Sequence, residues 1–248
     1  MKRLYIGVGL VTLATLLVEL LLTRIFSVTL YYHFAFMVIS IALFGLGLSG
    51  VSLFLRATAH PREELVSQLS AYSRRFAVTL VIALAYALNH SLTAPLDPLR
   101  ADPFTAQNFF QLTFLYLFCA LPFYYGGMVV SLALHHLRDK AATVYFYDLV
   151  GASLACLLLD PLLGLLGAEN AVLLGALIAA FAAVLFGSEE TRWKIQRSSA
   201  LLAGALAILL IANLGVGLLR VGSFKFVDNR YLAFSKWNAF SRIEVQEK

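Results

Sequence analysis

Seven long apolar runs, separated by short polar breaks, leave this chain few ways to fold. They cover about Leu4–Val28, His33–Leu55, Phe76–Leu92, Phe109–Leu134, Thr143–Leu166, Ala171–Phe186 and Ala200–Leu219. A helix needs roughly 20 mostly apolar residues to cross the ~30 Å hydrocarbon core of a bilayer. Within that core each backbone N–H and C=O must be satisfied inside the protein, so only helices and closed barrels span it. Runs of this length are too long for strands. The reading is an all-α fold, a polytopic transmembrane helix bundle of about seven spans with a short C-terminal β-like tail. Composition agrees. Of 248 residues, 60% are hydrophobic and 13% charged, against about 45–50% and 25% in soluble domains.

Basic residues set the expected topology. Lys2, Arg3, Arg56, Arg62, Arg74, Arg75, Arg138, Lys140, Arg192, Lys194 and Arg197 fall in the amino end and alternate loops; only Arg24 and Arg100 fall opposite. Lys and Arg concentrate on the cytoplasmic side, so the amino terminus is expected in the cytoplasm of a cell (inner) membrane, as a multi-pass protein. The net charge of +5 is read as this topology signal, and nucleic acid is not expected as a partner; the lipid bilayer is. Met1-Lys-Arg opens a run too long for a signal peptide and reads as an uncleaved first span. Cys119 and Cys156 both sit inside apolar runs and read as packing residues.

Several motifs have bland readings that outweigh sharper ones. Gly45, Gly47 and Gly50 match G-x-G-x-x-G, but inside an apolar run. Gly45 with Ser49 is better read as a small-residue face for helix packing. Pro122 with Gly126 and Gly127 predicts a kink in the fourth span. Pro61-Arg-Glu-Glu predicts a short surface helix in the second loop, and Pro95, Pro98 and Pro103 an irregular third loop. His135 and His136 are adjacent, so those two alone do not build a metal site. Tyr31-Tyr32 and Tyr124-Tyr125 resemble interfacial aromatics.

Ionisable residues at membrane depth are costly and mark sites. Glu19, Arg24, Asp148 and Asp160 are the candidates. Glu19 and Arg24 point about 140° apart on one helix. Arg24 and Asp160 lie at similar depth on spans running the same way, so an Arg24–Asp160 pair is expected near the face opposite the amino terminus. Its first reading is an interfacial anchor or stabilising pair; a transport or catalytic role is the alternative.

The chain divides into a transmembrane domain over residues 1–220 and an extended tail over 221–248. The tail carries Arg220, Lys225, Arg230, Lys236, Arg242 and Lys248 at its edges and along it. Phe240, Arg242, Ile243, Glu244 and Val245 fit a strand. Seven spans from a cytoplasmic start put this basic tail outside, against the usual preference of such segments.

Glu19-Leu-Leu-Leu-Thr-Arg24-Ile-Phe-Ser27, the glycine-rich second span, Tyr147-Asp148-Leu-Val-Gly151-Ala152, Pro161-Leu-Leu-Gly164 and Lys236-Trp-Asn-Ala-Phe-Ser-Arg-Ile-Glu-Val245 occur in that order. Together they resemble the membrane-embedded spermidine-synthase-like proteins of polyamine biosynthesis. The resemblance implies a multi-span module ahead of an aminopropyltransferase or SAM-dependent methyltransferase domain, in cis or in trans. It implies that the tail is the start of a truncated soluble domain, expected in the cytoplasm. No catalytic, cofactor-binding or metal residue is carried over, and no cofactor is expected in this chain. The module would anchor or feed the transferase. The competing classes are a small-molecule or cation transporter or channel, and a non-catalytic membrane scaffold.

Overall fold

The protein was analysed as a computed structural model that describes residues 2–29, 34–55, 62–89, 106–187, 193–220, 232–238 and 242–246. Seven helices make the bundle: α1 (Lys2–Thr29), α2 (Phe34–Leu55), α3 (Arg62–Asn89), α4 (Ala106–His136), α5 (Ala141–Leu166), α6 (Ala168–Phe186) and α7 (Trp193–Val216). All seven contain a stretch long and apolar enough to cross a membrane. A two-stranded antiparallel hairpin follows, β1 (Leu232–Trp237) and β2 (Arg242–Gln246). The expected all-α membrane bundle with a small β tail is therefore the observed architecture.

Helix α1 runs through the middle of the bundle, touching α2, α4, α5 and α6. Side-chain matches fix the directions. Ser70 on α3 meets Ala183 on α6, and Asn170 on α6 meets Asn213 on α7. Consecutive helices alternate, so the amino terminus and the end of α7 lie at opposite ends. The main apolar core includes Leu17, Leu21, Ile25, Phe76, Leu80, Phe123 and Leu173. A second core at the amino-terminal end gathers Tyr5, Val8, Leu65, Leu69, Leu132 and Phe186.

This second core corrects one expectation. The predicted short surface helix after Pro61 is not separate: it is the first part of α3, which continues unbroken to Asn89. Leu65 and Leu69 are buried in the second core, so packing at spacing four extends the helix backwards through Arg74 and Arg75. Helix α4 runs continuously through Pro122. Residues Tyr31, Tyr32, Pro95, Pro98 and Pro103 lie outside the described residues.

Small residues set the helix spacing. Bilayer helices gain little from apolar burial alone, so they associate by close van der Waals packing and hydrogen bonding. A Cβ at Gly45 would lie 2.7 Å from the Ala120 carbonyl oxygen and 2.7 Å from Phe123 Cβ. One at Gly127 would collide with the Ser49 hydroxyl. The α2–α4 interface thus uses Gly45 and Ser49, as the packing reading expects. Gly47 and Gly50 face open space. Between α5 and α6 the chain turns at one residue, Gly167, whose φ of 79° suits glycine alone among common residues.

Gly45→Leu is expected to lower stability by about 1–3 kcal/mol or prevent folding, as overpacking does. Gly47→Leu and Gly50→Leu should stay within about 0.5 kcal/mol. Unfolding equilibria in mixed detergent micelles check this; equal losses at all three glycines would contradict the packing assignment.

Candidate functional site

Polar side chains enter the bundle where helices touch most closely. Helices α1 and α5 run parallel and meet backbone to backbone. A Cβ on Gly151 would collide with the Gly9 carbonyl, and one on Gly9 would lie 2.7 Å from the Tyr147 carbonyl oxygen. This approach brings Thr12 Oγ1 to donate to Asp148 Oδ1 at 2.5 Å. Tyr5 stacks on Tyr147 beside it, ring centroids 5.7 Å apart and 21° between planes. Asp148 is half-buried. Hydrogen bonds to an ionised carboxylate are short and strong, so Thr12 offsets part of the cost of holding Asp148 within the span.

Glu19 follows Thr12 by seven residues, two helical turns, and so shares its face of α1. It too is half-buried. Its backbone carbonyl accepts the Thr23 hydroxyl at 2.8 Å; among the described residues its carboxylate makes no hydrogen bond or ion pair. The α1–α5 seam therefore carries two carboxylates about 10 Å apart along the axis at 1.5 Å per residue.

The other expected residues do not join them. Arg24 follows Thr12, and Asp160 follows Asp148, by the same 12 residues, so they do share a depth. Yet among the described residues no ion pair joins Arg24 and Asp160. Twelve residues turn a helix by about 120° beyond whole turns. Asp160 therefore leaves the stripe that meets α1 and is exposed, while Arg24 is half-buried.

A second polar group was not foreseen. On α3, Ser70 Oγ donates to the Ala183 carbonyl at 2.9 Å and lies 3.3 Å from Ser199 Oγ. Arg74 Nη1 donates to Ser198 Oγ at 2.5 Å and to Ser199 Oγ at 3.4 Å. The neighbouring Arg75 guanidinium lies 5.6 Å from the Tyr72 ring and 6.0 Å from that of Tyr125. Assigning these residues to a loop hid their helical spacing, which would have placed Ser70, Ser73 and Arg74 along one side of α3.

A third group closes the opposite end. Asn213 Nδ2 donates to Asn170 Oδ1 at 2.7 Å and to the Leu219 carbonyl at 3.1 Å, while Leu219 N donates to Asn213 Oδ1 at 2.6 Å. One asparagine just before the sixth apolar run and one within the seventh were the available signal. Beside them Glu169, in the first turn of α6, is buried, where a helix N-terminus favours negative charge. Trp237 of β1 packs by Gly167, its ring carbon Cδ1 3.4 Å from where a Gly167 Cβ would stand.

The histidines are engaged locally. His136 Nδ1 lies 3.2 Å from the Leu132 carbonyl, and Arg138 donates to His135 Nδ1 at 3.3 Å. Among the described residues no three His, Cys, Asp or Glu side chains gather into a possible metal cluster. Cys119 is buried in the main core and Cys156 is exposed on α5. The seam presents two separate carboxylates, Asp148 held by the Thr12 hydroxyl and Glu19 two turns further along α1.

No family model, curated protein or solved structure matches the chain.

Interhelical hydrogen bonds in membranes average about 0.6 kcal/mol and reach about 1.7. Thr12→Val is expected to cost an amount in that range. Asn213→Leu removes three bonds and leaves the Leu219 N–H without its acceptor, so about 1–3 kcal/mol is expected. Steric-trapping measurements in bicelles check both; a neutral Asn213→Leu would show that α7 is held by other means.

Proposed function

We propose that the chain is the integral-membrane module of a spermidine-synthase-like protein, anchoring or feeding a transferase domain carried in cis or in trans. The observation that carries this reading is the docking of the hairpin. Trp237 keeps only 8% of its surface exposed and joins the main core of the bundle. Arg242, its partner across the ladder, lies with its guanidinium 5.9 Å from the indole ring. Phe234, Ile243 and Val245 remain exposed. The extramembrane β-region is thus clamped through one aromatic residue at the α5–α6 turn, while apolar strand residues stay open for further packing. That is the arrangement an anchoring module needs.

The chemistry proposed for the complete assembly is transfer of an aminopropyl or methyl group from an adenosyl donor. It assigns no catalytic or cofactor-binding residue to this chain. The excess of basic residues at the amino-terminal end favours a cytoplasmic amino terminus; seven alternating spans then carry the hairpin to the opposite side, against the cytoplasmic location that the resemblance implies. Feeding a substrate through the bundle to a domain on that side follows as the module's second task.

A second reading, small-cation transport, is favoured by the stripe of Thr12, Asp148 and Glu19 on the α1–α5 seam. One experiment separates the two. Sealed vesicles containing the protein as encoded, together with its co-purifying partners, are given putrescine and a labelled adenosyl donor. Label appearing in the amine supports the transferase module. Putrescine uptake without label transfer, abolished by Asp148→Asn, supports transport and sinks the module reading. Neither result leaves a non-catalytic scaffold.

Burial of a large aromatic side chain contributes about 1.5–3 kcal/mol. Trp237→Ala should therefore raise the rate of trypsin cleavage at Lys236 and Arg242 roughly tenfold or more. Unchanged cleavage, followed by mass spectrometry, would show that the hairpin is not clamped by Trp237.

A further inference from the structure

The polar group on α3 has a composition that the proposed function does not use. Arg74 and Arg75 are consecutive cations. Arg75 is exposed. Its guanidinium rests near Tyr72 and Tyr125, whose rings stack at 6.3 Å, and among the described residues it has no carboxylate partner. Arg197, also exposed, adjoins Ser198 on α7. A negative charge from outside the chain fits the exposed Arg75 guanidinium.

Depth identifies the source of that charge. Ser198 stands 18 residues before the end of α7 at Val216, about 27 Å at 1.5 Å per residue. That is close to the ~30 Å thickness of a hydrocarbon core. If the far end of α7 marks one interface, Arg74, Arg75 and Ser198 stand at the other, at the level of lipid phosphates.

The surface beneath is apolar and open. Val78 and Ile82 follow Arg75 by three and seven residues, which places all three along one outward stripe of α3. They are 41% and 48% exposed, and Leu201, one turn below Ser198 on α7, is 65% exposed. Charge above and apolar surface below match the two parts of one molecule.

We propose that the outward face of α3 at Arg75 is a phospholipid site. Arg75 and Arg74 receive the phosphate, with Ser198 at the flank, and an acyl chain lies along Val78 and Ile82. The Tyr72–Tyr125 platform fixes the Arg75 guanidinium and limits its freedom before the lipid arrives. The phosphate diester supplies the recognised charge. A free phosphate ion would share it but would leave the apolar stripe unused.

The test uses the full chain purified in a neutral detergent and stripped of lipid. Dioleoylphosphatidylglycerol, dioleoylglycerol and inorganic phosphate are the three probes, read by thermal unfolding and by native mass spectrometry. Phosphatidylglycerol is expected to raise the Tm by about 4 °C or more at saturation and to remain bound in the gas phase; the other two should do neither. Arg75→Gln should weaken that binding about tenfold, Arg75→Lys less, and Lys140→Gln, at the same end of the bundle, not at all. Melting temperatures without lipid identify any variant that is misfolded, and the Lys variant then carries the comparison. Equal stabilisation by dioleoylglycerol, a full effect of inorganic phosphate, or Arg75→Gln binding as the wild type would each overturn the proposal.

Discussion

The backbone contact between α1 and α5 at Gly9 and Gly151 is the constraint from which the rest of the bundle follows. Helices in a bilayer have no water to expel from between them, so closeness must come from missing side chains. At this crossing the carbonyl of one helix lies against the glycine of the other. That approach brings the Thr12 hydroxyl within reach of Asp148 and lets the Tyr5 and Tyr147 rings stack. It also determines which residues of α1 look towards α5, and so gives Glu19 its place on the seam. A bulkier residue at either glycine would separate all of these partners together.

Long spans were legible because their signal is summed over some twenty residues. The strand at Arg242–Gln246 was legible because alternation at period two survives even in so short a segment; its pairing with Leu232–Trp237 was not. What failed was local context. Arg74 and Arg75 look like loop residues when hydropathy alone is weighed, yet Leu65 and Leu69 ahead of them belong to a buried core, and the helix passes straight through. Depth arithmetic put Arg24 and Asp160 at one level. It could not reveal that the outward turn of α5 carries Asp160 away from α1, because rotation about an axis depends on which face packs. Ser198, Ser199, Asn170 and Asn213 carry little signal singly and acquire meaning only from the helices opposite them.

The two ends of the bundle differ in kind. The amino-terminal end has its own apolar core beside a group of arginines, serines and tyrosines. The opposite end is finished by amide hydrogen bonds and by a tryptophan from the tail. One end is suited to sit among lipid headgroups. The other is suited to hold folded polypeptide. Each property comes from a few residues on a scaffold that otherwise packs by shape.

The central position of α1 has a consequence in time. It leaves the ribosome ahead of the other six helices of the bundle, yet its closest partner, α5, holds the hydrogen-bond acceptor 136 residues later. At about 5–20 residues per second that is a wait on the order of ten seconds. During that interval Asp148 does not yet exist, and Thr12, Gly9 and Glu19 face lipid, the translocation machinery or whatever helper shields them. Of its final neighbours only α2 and α4 arrive earlier. The helix that organises the finished protein is thus a guest among incomplete partners for most of its synthesis, and the bundle closes around it from the outside in.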